Sequence, residues 1–370
     1  MLGAALPAMR DTFGISIAKS GIIGSFSWLG FTIAILCSGV LSDLFSSRQV
    51  LGISCALTGA CSILIGISTN FILHCVLIVL IGAGGGAIVV CSSAAIVELF
   101  SRKKSALLNI QHFFYTIGAV LGPICIGFAL SHNLAWQIVY RVVGVVYLGV
   151  SVSILSPKFT RNQYGSSKHR ISYKQLFKMK TLYILFFVGF LAIGAQNGFY
   201  FWIISYLKEV HALPILWSSL SLALFSAGMG IGRLISAWLS MRLHPTKLLL
   251  MLLIFVTAAL VSFNLITTSS LLSLMCFFIG LGCSGIFPLI LALASSTTPD
   301  SSGSAMGIVG TSVGLGSIVM PLWMSLLTDR VSMRASMILV PLTAFMALVV
   351  FALGLSGFTK SSTPESDGLL

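Results

Sequence analysis

Apolar runs of about twenty residues, separated by short polar connectors, recur along this chain. A helix needs about 20 mostly apolar residues to cross a hydrocarbon core of ~30 Å. That rule predicts spans near 20–41, 49–68, 72–99, 105–130 and 134–156, then near 181–207, 214–240, 246–266, 270–294, 303–327 and 335–357. Between the two groups lies the longest polar run bounded by apolar segments, KFTRNQYGSSKHRISYKQLFKMK from Lys158 to Lys180. The predicted organisation is a helix bundle over 1–156, a linker over 157–180, a second bundle over 181–358 and a polar tail over 359–370.

Two echoes relate the groups. GVLSDLFSSRQVL from Gly39 closes the first span, and GRLISAWLSMRLHPTKLLL from Gly232, 193 positions on, closes the second span after the linker. Gly118 and Pro123 form a G-x4-P that returns 198 positions later as Gly316 and Pro321. Offsets this close predict two diverged copies of one unit. Moving the span that opens at Thr181 back by the same offset places its counterpart's start before Met1. The stub LGAALPAM then reads as the tail of a first helix, most of which this sequence lacks; a genuine eleven-span chain is the alternative. An apolar run of nine residues cannot cross a bilayer by itself.

Composition sharpens the class. Hydrophobic residues make up 57% of the 370 positions and charged ones 8%, against about 25% charged in soluble domains. The formal net charge of +13 does not point to nucleic acid, because the basic residues sit in connectors and form no stripe with interleaved aromatics. With the basic linker inside, 15 Lys and Arg fall on the inner side and 5 on the outer (Arg10, Lys19, Lys208, Arg330, Arg334), while Arg141 lies within a span. This asymmetry predicts a multi-pass cell-membrane protein with a cytoplasmic linker and C-terminus. The eight cysteines lie in apolar segments without C-x-x-C spacing, which makes them packing residues and not zinc or disulfide sites. The N-terminus lacks the basic region of a signal peptide. No nucleophile–base pair, metal cluster or P-loop is visible, so the reading is not an enzyme, with no catalytic residue, metal or cofactor assigned and no ATP-driven pumping encoded.

Two six-helix repeats joined by a basic loop resemble the major facilitator superfamily. The family's loop after its second helix runs roughly G-x-L-x-D-R-x-G-R-K. Gly39, Leu41, Asp43 and Arg48 match it, while Leu44, Ser46 and Ser47 replace the usual Arg, Gly and Arg. The resemblance implies the fold of two pseudo-symmetric six-helix bundles, with the first helix truncated here. It also implies a gating role for Gly39, Asp43 and Arg48, repeated at Gly232 and Arg233. Four stretches are similar to fucose:proton symporter-type sugar permeases: ALLNIQHFFYTIGAVLGP from Ala106, GAQNGFYFWIISYL from Gly194, GMGIGRLISAWL from Gly228 and GIFPLILALA from Gly285.

A sugar site needs hydrogen-bonding side chains and an aromatic face inside the bundle. Polar residues in mid-membrane are costly, so they are the first functional candidates. Those expected to touch solute are Gln196, Asn197, Tyr200 and Trp202 on the seventh helix, Gln111, His112 and Tyr115 on the fifth, and Ser93 on the fourth. Trp202 has an interfacial-anchor reading and the serines a helix-packing one. The eight carboxylates all lie at helix ends or in loops. Coupling then resides in the missing helix, with His112 as the other group that could titrate, or the protein is a uniporter or exchanger. The expected partners are a small polar solute, a sugar by the resemblance, with protons as the candidate coupling ion, and the bilayer, with no nucleic acid and a monomeric chain. An organic-anion exchanger, for which Arg141 is the basic candidate, and a non-transporting sensor are the alternatives.

Overall fold

The computed structural model describes residues 1–45, 47–99, 104–156, 179–297 and 302–359, and the regular structure in them is helical. In chain order the helices are α1 (Leu2–Phe13), α2 (Ile17–Phe45), α3 (Ser47–Leu64), α4 (Phe71–Leu99), α5 (Lys104–Ser131), α6 (Gln137–Leu155), α7 (Lys180–Val210), α8 (Ile215–Ser240), α9 (Pro245–Leu265), α10 (Ser269–Cys283), α11 (Ile286–Thr297), α12 (Ser302–Arg330) and α13 (Met333–Thr359). Each predicted span coincides with one of these helices from α2 onward, except that the span near 270–294 is divided into α10 and α11. The break falls at Ser284 and Gly285, one turn before Pro288, which has no N–H for the Ser284 carbonyl. The LGAALPAM stub lies in α1, which buries Gly3, Ala4, Ala5, Leu6, Pro7 and Met9. The linker stretch 157–178 lies outside the described residues.

Local chemistry sets several helix ends. Gly14 closes α1 in the left-handed conformation at φ 58°, with its N–H donating to the Arg10 carbonyl. Asn70 Oδ1 accepts from the N–H groups of Ile72 (2.9 Å) and Leu73 (3.2 Å) and so caps α4. Arg48, at the start of α3, donates through Nε to the Ile154 carbonyl (2.7 Å) and through a terminal nitrogen to the Ser156 carbonyl. A cation there satisfies carbonyls that the end of α6 leaves open and complements its dipole.

Among the described residues, nine helical segments are long and apolar enough to cross a membrane. α6 shows why water is excluded as its solvent: Ile138, Val142, Val145, Val146 and Val152 are all exposed along it. An apolar face of that length suits lipid tails.

The chain divides into two compact units. One comprises Met1–Lys168, Phe201–Ala223 and Pro321–Met333; the other comprises His169–Tyr200, Leu224–Met320 and Arg334–Leu370. Each contains a helix crossing of the same design. In the first, α2 meets α4, where a Cβ on Gly30 would strike the Val79 carbonyl and one on Gly82 would strike the Ser27 carbonyl, both under 3.0 Å. In the second, α8 meets α10, where a Cβ on Gly228 would strike the Phe277 carbonyl and one on Gly280 the Phe225 carbonyl. Glycine and struck residue alike are 198 positions apart in the two crossings (228 − 30, 280 − 82, 277 − 79, 225 − 27). The repeat read from G-x4-P is thus carried into backbone packing, where small residues let membrane helices touch.

Candidate functional site

In the second unit, α7 and α12 cross at glycines. A Cβ on Gly194 would lie 3.1 Å from the Gly316 carbonyl, and one on Gly316 would strike the Phe190 carbonyl. This approach brings Asn197, near the middle of α7, against Ser317, near the middle of α12. Asn197 is buried, and its Nδ2 donates to Ser317 Oγ at 2.6 Å. Ser317 Oγ in turn donates to the Val313 carbonyl at 2.6 Å. Gln196 beside it is half-buried, and Tyr200, one turn on, has its ring 5.9 Å from that of Phe225. Gln196, Asn197 and Tyr200 therefore share one helix stretch with polar and aromatic groups at mid-span.

The polar residues of the first half are placed differently. Gln111 on α5 donates through Nε2 to Ser92 Oγ (2.6 Å), and its Oε1 accepts from Ser93 Oγ (3.1 Å). Ser92 Oγ also donates to the Ile88 carbonyl at 2.6 Å. Both ends of the Gln111 carboxamide are engaged by α4, which makes Gln111 and Ser93 an interhelical clasp as well as solute candidates. Tyr115 is 60% exposed. The His112 side chain lies outside the described residues. Trp202, in the first unit, is 1% exposed, and its Nε1 donates to the Pro321 carbonyl at 3.1 Å. Burial of that depth is not an interfacial anchor; the indole pins α7 to α12.

Of the gating candidates, Gly39 and Asp43 lie in α2 with side chains outside the described residues, while Arg48 holds the end of α6 as above. Gly232 on α8 meets α10, where its Cβ would lie 2.6 Å from the Leu281 carbonyl. Arg233 follows it, half-buried.

A closure that no local sequence pattern signals lies at the helix ends remote from the linker. There, within the first unit, Arg10 of α1 pairs with Glu209 of α7, with side chains 20% and 30% exposed. Gly21 of α2 packs on Ser325 of α12, and Gly24 on the Phe201 ring of α7. The distal ends of α7 and α12 are thus seated on α1 and α2. His74, near the start of α4, is buried as well. Its ring is 4.4 Å from Phe13 and 6.1 Å from Trp136, and among the described residues neither ring nitrogen has a hydrogen-bond partner. A histidine inside FILHCVL is the signal that could have flagged it.

Repeated membrane helices, glycine crossings at equivalent positions and uncharged polar groups at mid-span mark a polytopic membrane protein. The chain belongs to the Major Facilitator Superfamily, whose family model matches residues 1–301 and 246–368. It is 22% identical over 319 residues to the Protein TsgA homolog of Buchnera aphidicola subsp. Baizongia pistaciae (strain Bp), covering 86% of this chain and 81% of that one. The fold is similar to a bacterial homolog of the human lysosomal transporter Spinster (TM-score 0.82, 13% identity, 99% of this chain and 94% of that one). It is also similar to the E. coli fucose:proton symporter FucP (TM-score 0.60, 18% identity, 95% of each chain).

Proposed function

We propose that this transporter carries a small neutral polyhydroxylated solute, a sugar, across the cell membrane by alternating access. Its linker and C-terminus face the cytoplasm. The observation that carries the reading is the pair of adjacent carboxamides Gln196 and Asn197 at the middle of α7, with Tyr200 one turn away as an aromatic face. Uncharged donors and acceptors beside an aromatic ring suit a sugar's hydroxyls and its apolar face. The likeness to a fucose:proton symporter supports the same class. An anion site would need a cation inside the bundle, and Arg141 lies on the exposed side of α6.

The test is uptake of labelled L-fucose, D-glucose and D-arabinose into liposomes holding the purified protein. Gln196→Ala and Asn197→Ala are each expected to lower the flux of the transported sugar about tenfold, the loss of one or two buried hydrogen bonds. Full flux in both variants would remove α7 from the site. An imposed pH gradient separates coupling modes: accumulation driven by it assigns proton symport, and indifference assigns uniport.

A further inference from the structure

The proton count at Ser317 fixes which way the Asn197 carboxamide faces. A serine hydroxyl has one proton to give, and Ser317 Oγ lies 2.6 Å from the Val313 carbonyl, which can only accept. Toward Asn197 the hydroxyl is left with lone pairs alone, so the group it meets at 2.6 Å must be the Asn197 NH2. Asn197 Oδ1 is thereby turned away from Ser317, and among the described residues it has no hydrogen-bond partner. Oδ1 is also not fully enclosed by the protein. On the same helix turn, Pro321 has no N–H to offer the Ser317 backbone carbonyl, which so lacks its usual i+4 donor. By contrast, Gln111 has both ends of its carboxamide occupied by Ser92 and Ser93.

We infer that Ser317 is the positioning residue that presents Asn197 Oδ1 as an acceptor, so that this station selects solutes bearing a hydroxyl or N–H donor and disfavours carboxylate or phosphate oxygens. The inference rests on the sugar reading above and deepens it. Ser317 acts through Asn197 and does not itself touch solute. A site built around an unpaired acceptor rejects analogues that lack the matching donor more strongly than it rejects small changes in apolar bulk.

The experiment measures KM and the maximal rate for a transported monosaccharide and its singly deoxygenated analogues in proteoliposomes, for the wild type, Ser317→Ala and Ser317→Thr. In the wild type, one deoxy analogue is expected to show a KM at least about fivefold higher than the parent sugar, the worth of one hydrogen bond. Ser317→Ala frees the carboxamide to rotate, and that discrimination is expected to fall below about twofold, while Ser317→Thr, which keeps the hydroxyl, restores it. A purely structural role would instead lower the maximal rate for every sugar alike and leave the discrimination intact. Wild-type sugar transport with undiminished discrimination in Ser317→Ala overturns the positioning role and leaves the sugar reading standing. No wild-type flux of any sugar overturns both.

Discussion

Alanine at Gly30 or Gly228 is expected to cost about 3 kcal/mol or more of stability, at the upper end of overpacking penalties, and to remove most of the folded protein from detergent extracts. The reason is geometric. At both positions the added methyl would sit on a backbone carbonyl of the crossing helix, Val79 or Phe277. A flexible side chain could swing aside, but a helix backbone cannot, so the helices must separate and lose contact along their length. Gly118 provides the control, since nothing lies within 4 Å of a Cβ built there. Alanine at Gly118 should change stability by no more than about 0.5 kcal/mol, with better helix propensity offsetting any loss. Thermal unfolding followed by size-exclusion chromatography separates the cases. Equal melting temperatures for Gly30→Ala and Gly118→Ala would show that the α2–α4 crossing is looser than described.

The second large effect is expected at the distal closure. Arg10→Glu would set two carboxylates against each other where Arg10 now pairs with Glu209. Both side chains retain some exposure, so solvent screens the pair, and the expected change is about 1–2 kcal/mol, or roughly tenfold in the open population. Ser325, buried against Gly21, reports the opening. With cysteine at position 325, an impermeant maleimide applied from the distal face should label the Arg10→Glu variant about tenfold faster than its parent. The exchange Arg10→Glu with Glu209→Arg should restore the slow rate. Labelling that is as fast in the exchanged protein as in the single variant would mean that the charge pair does not hold the closure.

The helices were legible because membrane spans announce themselves: water and lipid impose a length and an apolar composition that local sequence must meet. The repeat was legible for a related reason, since Gly118 and Gly316 share a pattern with Pro123 and Pro321 that helix packing and backbone geometry constrain. Four features lay outside such rules. The division of α10 from α11 falls one turn before Pro288, yet Pro123, Pro321 and Pro341 sit inside helices without dividing them, so a proline alone does not mark a break. The engagement of Gln111 by Ser92 and Ser93 depends on how α4 and α5 are rotated, which periodicity does not specify. Ser317 read as one serine among many, because its importance comes from Asn197, 120 positions away. The adjacent amides Gln196 and Asn197 stood out because uncharged polar groups in mid-span need partners wherever the helix is placed. The ion pair of Arg10 and Glu209 joins residues 199 positions apart, and nothing local at either end marks it.

Counterflow tests the central claim most directly. Liposomes holding the purified chain and loaded with unlabelled sugar are diluted into a trace of the same sugar carrying a label, with no nucleotide present. A carrier working by alternating access takes up label transiently above its outside concentration, and Asn197→Ala should flatten that overshoot. If well-folded protein produced no overshoot with any neutral sugar, while an organic anion gave one, the solute would be anionic and the reading of α7 as a sugar station would be wrong.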